Sequence, residues 1–376
     1  MGSVESYDTA KGRRYRVRYR TPNNRQTDKR GFRTKRDAEE FLAGVETLKA
    51  TGEFVSSTHS RILVRDWAQV WLSSLVNLKP TTRSGYEYTL GKHILPRWGS
   101  HRLGDISHAQ VQHWVSELSQ QLAASTVRQV YHVLASMLKF AVRDRKLTRN
   151  PAEDIKLPRI TKRRRGYLTH EQVAVLVEAA ADWGDLLATL AYTGLRWGEL
   201  AALRVKNVDL AHRRLSIVES VSEIGGTLAW GTPKSDESRV VVAPSFLVAP
   251  LKRRMTGKRG DDLVFTTLTG TPMRNNNFRH RVFNPALAKV REQDPLFPVV
   301  TPHDLRHTAA SLAVSAGANV KAVQRMLGHA SAAMTLDVYA DLFDEDLNAV
   351  SDALDREAAA HFAGKVWPEP DLGPLH

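Results

Sequence analysis

Cysteine is absent from all 376 residues. Its absence excludes disulfides, thiolate zinc sites and thiol catalysis, and fits a reducing compartment. Long apolar runs are absent too: nothing reaches the roughly 18 consecutive apolar residues that a membrane-spanning helix needs. The N-terminus shows no apolar stretch of signal-peptide type. Met1-Gly2-Ser3-Val4-Glu5-Ser6 fits the loose myristoylation pattern, but nothing else in the chain supports an anchor. These absences predict a cytoplasmic protein without a membrane partner. A Gly-rich phosphate loop is missing, and no pair of carboxylates stands at a convincing metal spacing.

Acidic residues are scarce where basic ones are dense. The chain carries 54 Lys+Arg against 40 Asp+Glu, a net +14, which points to a polyanion as partner. Residues 11–36 hold twelve Lys/Arg and one acid, Asp28, and residues 156–165 hold six Lys/Arg and no acid. Residues 341–357 reverse the sign, with seven acids opposed only by Arg356. Charge placed so unevenly assigns separate jobs to separate segments.

The length suits two or three domains, and the pattern divides the chain as follows. Residues 1–60 read as a small α+β domain, a three-stranded sheet plus a helix. Tyr15, Val17 and Tyr19 alternate with Arg14, Arg16, Arg18 and Arg20, giving a strand with one apolar and one arginine face. Four arginines on one short strand repel each other without a partner, so this face is expected to grip phosphates. A second strand covers Gln26 to Phe32, and Thr34, three before Asp37, opens a helix. Residues 61–155 read as an all-α unit. Trp67, Val70, Trp71 and Leu75 mark one helix, and Thr81-Thr82 caps a second that reaches Ile94 before Pro96 and Gly99. A third opens at Asp105-Ile106-Ser107, and the fourth runs from Ser125 to Arg143. Residues 156–165 form a basic linker containing Lys162, Arg163, Arg164 and Arg165, which would track a DNA backbone. Residues 166–358 read as a mostly-α domain with a small antiparallel sheet between Leu215 and Val242, turning first at Gly225-Gly226. The acidic segment carries Leu342, Phe343, Leu347, Val350 and Leu354 at helical spacing, which suits docking against a neighbour. The tail, 359–376, with three prolines in its last dozen residues, is expected to lack order.

The chemistry sits in the fourth part. Arg196 and Glu199 lie one helical turn apart after Gly194. His303, Arg306 and His307 share a second helix, Gly328-His329 follows a helix end, and Tyr339 stands ten residues on. Lys234 follows Gly231-Thr232-Pro233 between strands. Arginine offers paired planar donors to two oxygens of one phosphate. In phosphoryl transfer, fixed cations stabilise the charge on the non-bridging oxygens. A tyrosine hydroxyl, which loses its proton near pH ~10, becomes a usable nucleophile when cations and a base surround it. Plainer readings exist for each residue. Arg196 and Glu199 could form a helical ion pair, His303 and His307 could hold a metal, and Tyr192 is the rival tyrosine, set in an apolar helix.

Taken together, Thr193-Gly194-Leu195-Arg196-Trp197-Gly198-Glu199-Leu200, Thr232-Pro233-Lys234-Ser235, His303-Asp304-Leu305-Arg306-His307-Thr308, Leu327-Gly328-His329 and Tyr339 closely resemble the tyrosine recombinase family. A small basic domain ahead of a helical one is similar to the phage-type, lambda-class integrases. The resemblance implies that Arg196 and Arg306 hold a scissile phosphate and that Lys234 protonates the leaving 5′-oxygen. It implies that His303 assists proton transfer at the tyrosine, His329 hydrogen-bonds the phosphate, Glu199 supports the site and Tyr339 forms a 3′-phosphotyrosine. Lys206, Lys252 and Lys258 are alternatives to Lys234, because hairpin length varies. No metal or nucleotide cofactor is implied. The expected partners are double-stranded DNA at core-type and arm-type sites, three further copies in a homotetramer, a host DNA-bending protein and a directionality factor. The place expected is the nucleoid of a bacterial cytoplasm. A type IB topoisomerase and a non-catalytic DNA-binding regulator are the alternative functions.

Overall fold

The computed structural model describes residues 2–21, 24, 26–50, 59–161, 166–233, 238–333, 335–336 and 346–362. The chain folds as two compact units, Met1–Lys162 and Arg163–His376.

The first unit opens with an antiparallel sheet in the order β1 (Ser3–Thr9), β2 (Gly12–Arg20), β3 (Gln26–Phe32), followed by α1 (Lys35–Ala50). The alternation on β2 sorts as its spacing dictates. Val17 and Tyr19 are buried with Ala38 and Val45 of α1, while the arginines take the other face. Thr34 accepts the Asp37 amide at 3.1 Å and so caps α1. One expectation changes. Glu5 of β1 lies opposite Arg16 and accepts from Arg16 Nε at 2.9 Å, Arg16 Nη2 at 2.6 Å and Arg18 Nη1 at 3.2 Å. Two of the four arginines therefore have a carboxylate of their own, because β1 brings one across the sheet.

The helical part of this unit has its own core, centred on Trp67, Trp71, Trp98 and Trp114 against Val130, Leu134, Met137 and Leu138. Its helices are α2 (Val64–Ser74), α3 (Pro80–Thr89), α4 (Leu95–Trp98), α5 (His108–Gln121) and α6 (Ala124–Arg143). The Trp67 indole donates to the Met137 carbonyl at 3.1 Å, which satisfies its only polar atom inside the core. Ser107 and Gln110 form the capping box of α5. Thr81 and Thr82 do not cap α3. Pro80 occupies its first turn behind Lys79, because a fixed φ and a missing N–H suit that position. Nor does the helix simply stop at Ile94: a π turn over Leu90–Ile94 carries it into α4. Pro96 sits in the first turn of α4, where no N–H is required.

The second unit contains α7 (His170–Ala179), α8 (Gly184–Thr193), α9 (Trp197–Ala201), β4 (Val208–Asp209), β5 (Arg214–Ile217), β6 (Ser220–Ile224), β7 (Thr227–Gly231) and β8 (Arg239–Val242). Then come α10 (Val248–Met255), α11 (Asn275–Phe278), α12 (Asn284–Gln293), α13 (Asp304–Ser315), α14 (Val320–Leu327) and α15 (Asp346–Phe362). Leu186, Leu187, Leu190 and Ala191 of the apolar helix α8 are buried, in one core cluster with Leu305 and Leu312 of α13. The single small sheet expected here divides in two. β5 pairs with β8, Leu215 opposite Val241, in a sheet ordered β4-β5-β8, while β6 and β7 form a separate ribbon. The ribbon turns at Gly225 and Gly226, whose φ of 54° and 81° favour glycine. α15 continues past residue 358, where order was expected to end, and Leu354 on it is exposed. The rest of the expected tail, 363–376, lies outside the described residues, as do the linker residues 162–165, Lys234 and Tyr339. No helix among the described residues is long and apolar enough to cross a membrane.

Candidate active site

Two left-handed helix ends build the site. Gly194 closes α8 with φ 64° and Gly328 closes α14 with φ 63°. Both conformations are open to glycine and costly for other residues. Space demands glycine as well: a Cβ on Gly194 would stand 2.7 Å from Leu327 Cδ2, and one on Gly328 would stand 2.8 Å from Arg239 Cδ.

Arg306 ties these ends together. It projects from α13, is 3% exposed, and donates through Nη1 to the Gly194 carbonyl and through Nη2 to the Leu327 carbonyl. A guanidinium suits this place because the last carbonyls of a helix carry partial negative charge. Arg196 starts the next helix at the N-cap of α9. Its backbone N–H donates to Glu199 Oε2 at 3.0 Å and its Nη1 to Glu199 Oε1 at 2.8 Å. The plain reading of these two residues as a helical ion pair is therefore correct as geometry, and it leaves the pair inside the site.

Glu199 has no exposed side-chain area. Burial pushes its pKa up, yet bonds and charge from Arg239 and Arg196 outweigh burial and hold it at about 2. Arg239, the first residue of β8, donates Nη1 to Oε1 at 2.9 Å and Nη2 to Oε2 at 2.6 Å, and its Nε reaches the Met326 carbonyl at 3.3 Å. Sequence reasoning missed Arg239. A signal existed: it stands two before Val241, which is buried, while Val240 and Val242 are exposed. Period-two alternation therefore turns Arg239 inward, and a cation turned inward needs an acid.

His329 follows Gly328. Its Nδ1 lies 3.0 Å from Thr335 Oγ1, and Thr335 is fully buried. Burial, then the charges of Arg306, Arg196 and Arg239, lower its pKa to about 4. At neutral pH the ring is therefore uncharged. When Thr335 donates to Nδ1, the ring's one proton is on Nε2; when Thr335 accepts, that proton is on Nδ1. His303 is the N-cap of α13 and is exposed; its ring meets His307 edge-on at 5.2 Å. Among the described residues no group of three His, Cys, Asp or Glu side chains could hold a metal. Asp304, between the two histidines in sequence, accepts the Thr301 amide and hydroxyl at 2.7 Å each.

Tyr192, the rival tyrosine, is half-buried. Its hydroxyl lies 2.8 Å from His170 Nδ1 and its ring packs on Phe246. Burial, and then Glu171, raise its pKa, the wrong direction for a nucleophile. Two of the three rival lysines are engaged. Lys206 pairs with Asp261 at 2.5 Å. Lys258 donates to the Leu263 and Val264 carbonyls at 2.9 and 2.8 Å, and Lys252 is exposed on α10. The ribbon preceding Lys234 is fastened at both ends. At its base, Val221 O and Ser220 Oγ lie so near Gly198 of α9 that a Cβ would meet them at 2.5 and 2.7 Å. At its tip, Arg274 donates to Glu223 and to the Gly226 carbonyl.

The structure thus brings Arg196, Glu199, Arg306 and His329 together with Arg239. Residues 166–346 match the phage integrase family, 63–119 the phage integrase N-terminal SAM-like domain and 6–47 the arm DNA-binding domain. The integrase of Mycobacterium phage D29 is 26% identical over 350 residues, covering 88% of this chain and 91% of that protein. A Tn1549 transposon integrase in complex with a circular intermediate DNA superposes with TM-score 0.67 at 21% identity, over 74% of this chain and 95% of its own. A lambda integrase tetramer bound to a Holliday junction gives TM-score 0.57 at 17% identity, over 87% of this chain and 95% of its own. With an integrase relative aligned along most of its length, and an arm DNA-binding match followed by two phage integrase matches in the expected order, the chain belongs to the phage integrase family of tyrosine recombinases.

Proposed function

We propose that this protein is a site-specific integrase that cuts and rejoins double-stranded DNA through a 3′-phosphotyrosine, moving phage or other mobile-element DNA into a host chromosome. The observation that carries it is the convergence of two guanidinium groups, Arg196 and Arg306, with a neutral histidine on two glycine-closed helix ends. That arrangement suits a phosphate's non-bridging oxygens. Relatives named integrase, aligned along nearly the whole chain, favour exchange between sites over simple relaxation of supercoils.

In this reading Tyr339 attacks the scissile phosphorus. Its proton leaves with help from His303, a bond forms from Oη to phosphorus, and the bond to the 5′-oxygen breaks. Lys234 gives that oxygen its proton. Arg196, Arg306 and the Nε2–H of His329 hold the non-bridging oxygens, and Glu199 fixes Arg196. A 5′-hydroxyl of another strand then attacks the phosphotyrosine and restores a diester. Bonds broken and made are alike, so no nucleotide cofactor enters.

Residues 61–155 and 166–358 grip a core-type site with the linker 156–165, including Lys162, Arg163, Arg164 and Arg165, along the backbone. Residues 1–60 hold arm-type sites through Arg14, Arg16, Arg18 and Arg20. Exchange of two duplexes needs four copies, and a host DNA-bending protein and a directionality factor complete the assembly at the bacterial nucleoid. The test is a nicked duplex carrying the element's junction sequence. Wild type should form a covalent protein–DNA adduct mapped to Tyr339, and Tyr339→Phe should bind that duplex without one. An adduct that persists or maps to Tyr192 overturns the assignment.

A further inference from the structure

Arg239 stands at the start of β8, in a different part of the chain from both phosphate-holding arginines. Its side chain is 10% exposed, and the partner Glu199 is fully buried. Fork-to-fork pairing uses both terminal nitrogens on the two oxygens of Glu199, at 2.9 and 2.6 Å. That leaves the carboxylate one orientation, and in it Glu199 also accepts the Arg196 backbone N–H and guanidinium. On its other side Arg239 reaches the Met326 carbonyl at 3.3 Å, and its Cδ, Nε and Cζ pack on Gly328, the residue before His329. One side chain thus touches the supports of Arg196 and of His329, which come from α9 and from the end of α14.

We propose that Arg239 is a positioning residue that locks the Arg196 half of the phosphate cradle to the His329 half through Glu199 and the Met326–Gly328 backbone. This rests on the reading that Arg196 holds the scissile phosphate. Lysine cannot replace it. A single ammonium does not engage two carboxylate oxygens and a carbonyl in one plane, although it keeps the charge. Loss of the fork lets Glu199 rotate, and Arg196 then loses the fixed placement that makes a cation effective on developing charge.

The experiment compares cleavage of two nicked duplexes of the same junction sequence. One has a phosphodiester at the scissile position; the other has a methylphosphonate, which removes one non-bridging charge and with it part of the need for a held cation. Arg239→Lys should lower cleavage of the phosphodiester by about 30-fold and of the methylphosphonate by no more than about 3-fold. Arg196→Ala should show the same inequality, and binding of the duplex should be unchanged in both. A residue that merely keeps the fold would slow both substrates alike. If Arg196→Ala is relieved by methylphosphonate and Arg239→Lys is not, the positioning role is wrong and the function stands. If neither is relieved, the reading of Arg196 fails and the positioning role falls with it. A paired Glu199→Gln, Arg239→Gln variant, which removes the buried carboxylate together with its fork partner, gives the same comparison if the lysine variant does not fold.

Discussion

Glu199 holds Arg196 twice, once by its guanidinium at 2.8 Å and once by its backbone amide at 3.0 Å, and does so from a fully buried position. A buried carboxylate with two guanidinium partners is costly to disturb from either side, because a lone ion remains. Glu199→Ala should destabilise the second unit by about 3–5 kcal/mol. The sign with pH follows from the depressed pKa of about 2, against an ordinary 4.5. The unfolded chain takes up the proton first, so the stabilisation is complete above pH 4.5 and is lost as pH falls toward 2. Melting curves of wild type and Glu199→Gln should therefore converge as pH is lowered through that window. A gap independent of pH would show that Glu199 is not held as an anion.

His329 is expected to titrate near pH 4, below its ordinary 6.5, because of burial and three neighbouring guanidinium groups. Its contribution to stability is present above 6.5 and declines as pH falls through about 4. Proton NMR of the ring in the protein without DNA gives the midpoint; a value above 6 would remove the case for a neutral donor. In the proposed mechanism Thr335 donates to Nδ1 and keeps the ring proton on Nε2, and Thr335→Val deletes that hydroxyl. It should slow cleavage by about 10-fold, the worth of one well-placed hydrogen bond, with little change in DNA affinity.

Several features of the fold and of the site were legible because they are local. The helix start at Ser107 and the breaks at Gly194 and Gly328 each depend on residues within a turn or two of each other. The alternation of Arg14 to Arg20 with Tyr15, Val17 and Tyr19 was legible for the same reason. What sequence did not yield depends on partners distant in the chain. Glu5 meets Arg16 and Arg18 only because β1 pairs in one register. The β6–β7 ribbon separates only because β5 chooses β8. Arg239 was hidden in a valine strand because its partner lies 40 residues away. The π turn at Leu90–Ile94 has no local cue apart from Pro96.

The arginine face of β2 makes a prediction for the first 60 residues. Glu5 already neutralises part of Arg16 and Arg18, whereas Arg14 is half-buried and Arg20 is exposed, donating to the Asn24 carbonyl. Deleting residues 1–60 should leave cleavage of a core duplex within about 3-fold while abolishing efficient integration, since the cradle residues all lie after Thr193. Glu5→Gln should tighten binding of this domain to DNA and steepen its salt dependence, because two guanidinium groups are released toward phosphate. Normal recombination by the truncated protein on DNA lacking arm sequences would exclude an arm-binding role.

Lys234 carries the last prediction. Expulsion of a 5′-alkoxide needs a proton, and in the proposed mechanism Lys234, which follows the β6–β7 ribbon in sequence, supplies it. The ribbon is pinned to α9 through Gly198 and at its tip by Arg274. Of the other candidate lysines, Lys206 is committed to Asp261 and Lys258 to two carbonyls, while Lys252 is exposed on α10. Lys234→Ala should slow cleavage by about 100-fold or more on ordinary DNA, in the range of a lost general acid, with affinity nearly unchanged. A bridging 5′-sulfur leaves without a proton, so on that substrate the variant should approach the wild-type rate. Arg196→Ala should gain nothing from sulfur, because its proposed task concerns the non-bridging oxygens. Lys206→Ala should differ little from wild type on either substrate. Rescue of Arg196→Ala as fully as Lys234→Ala, or of neither, would show that Lys234 is not the proton donor.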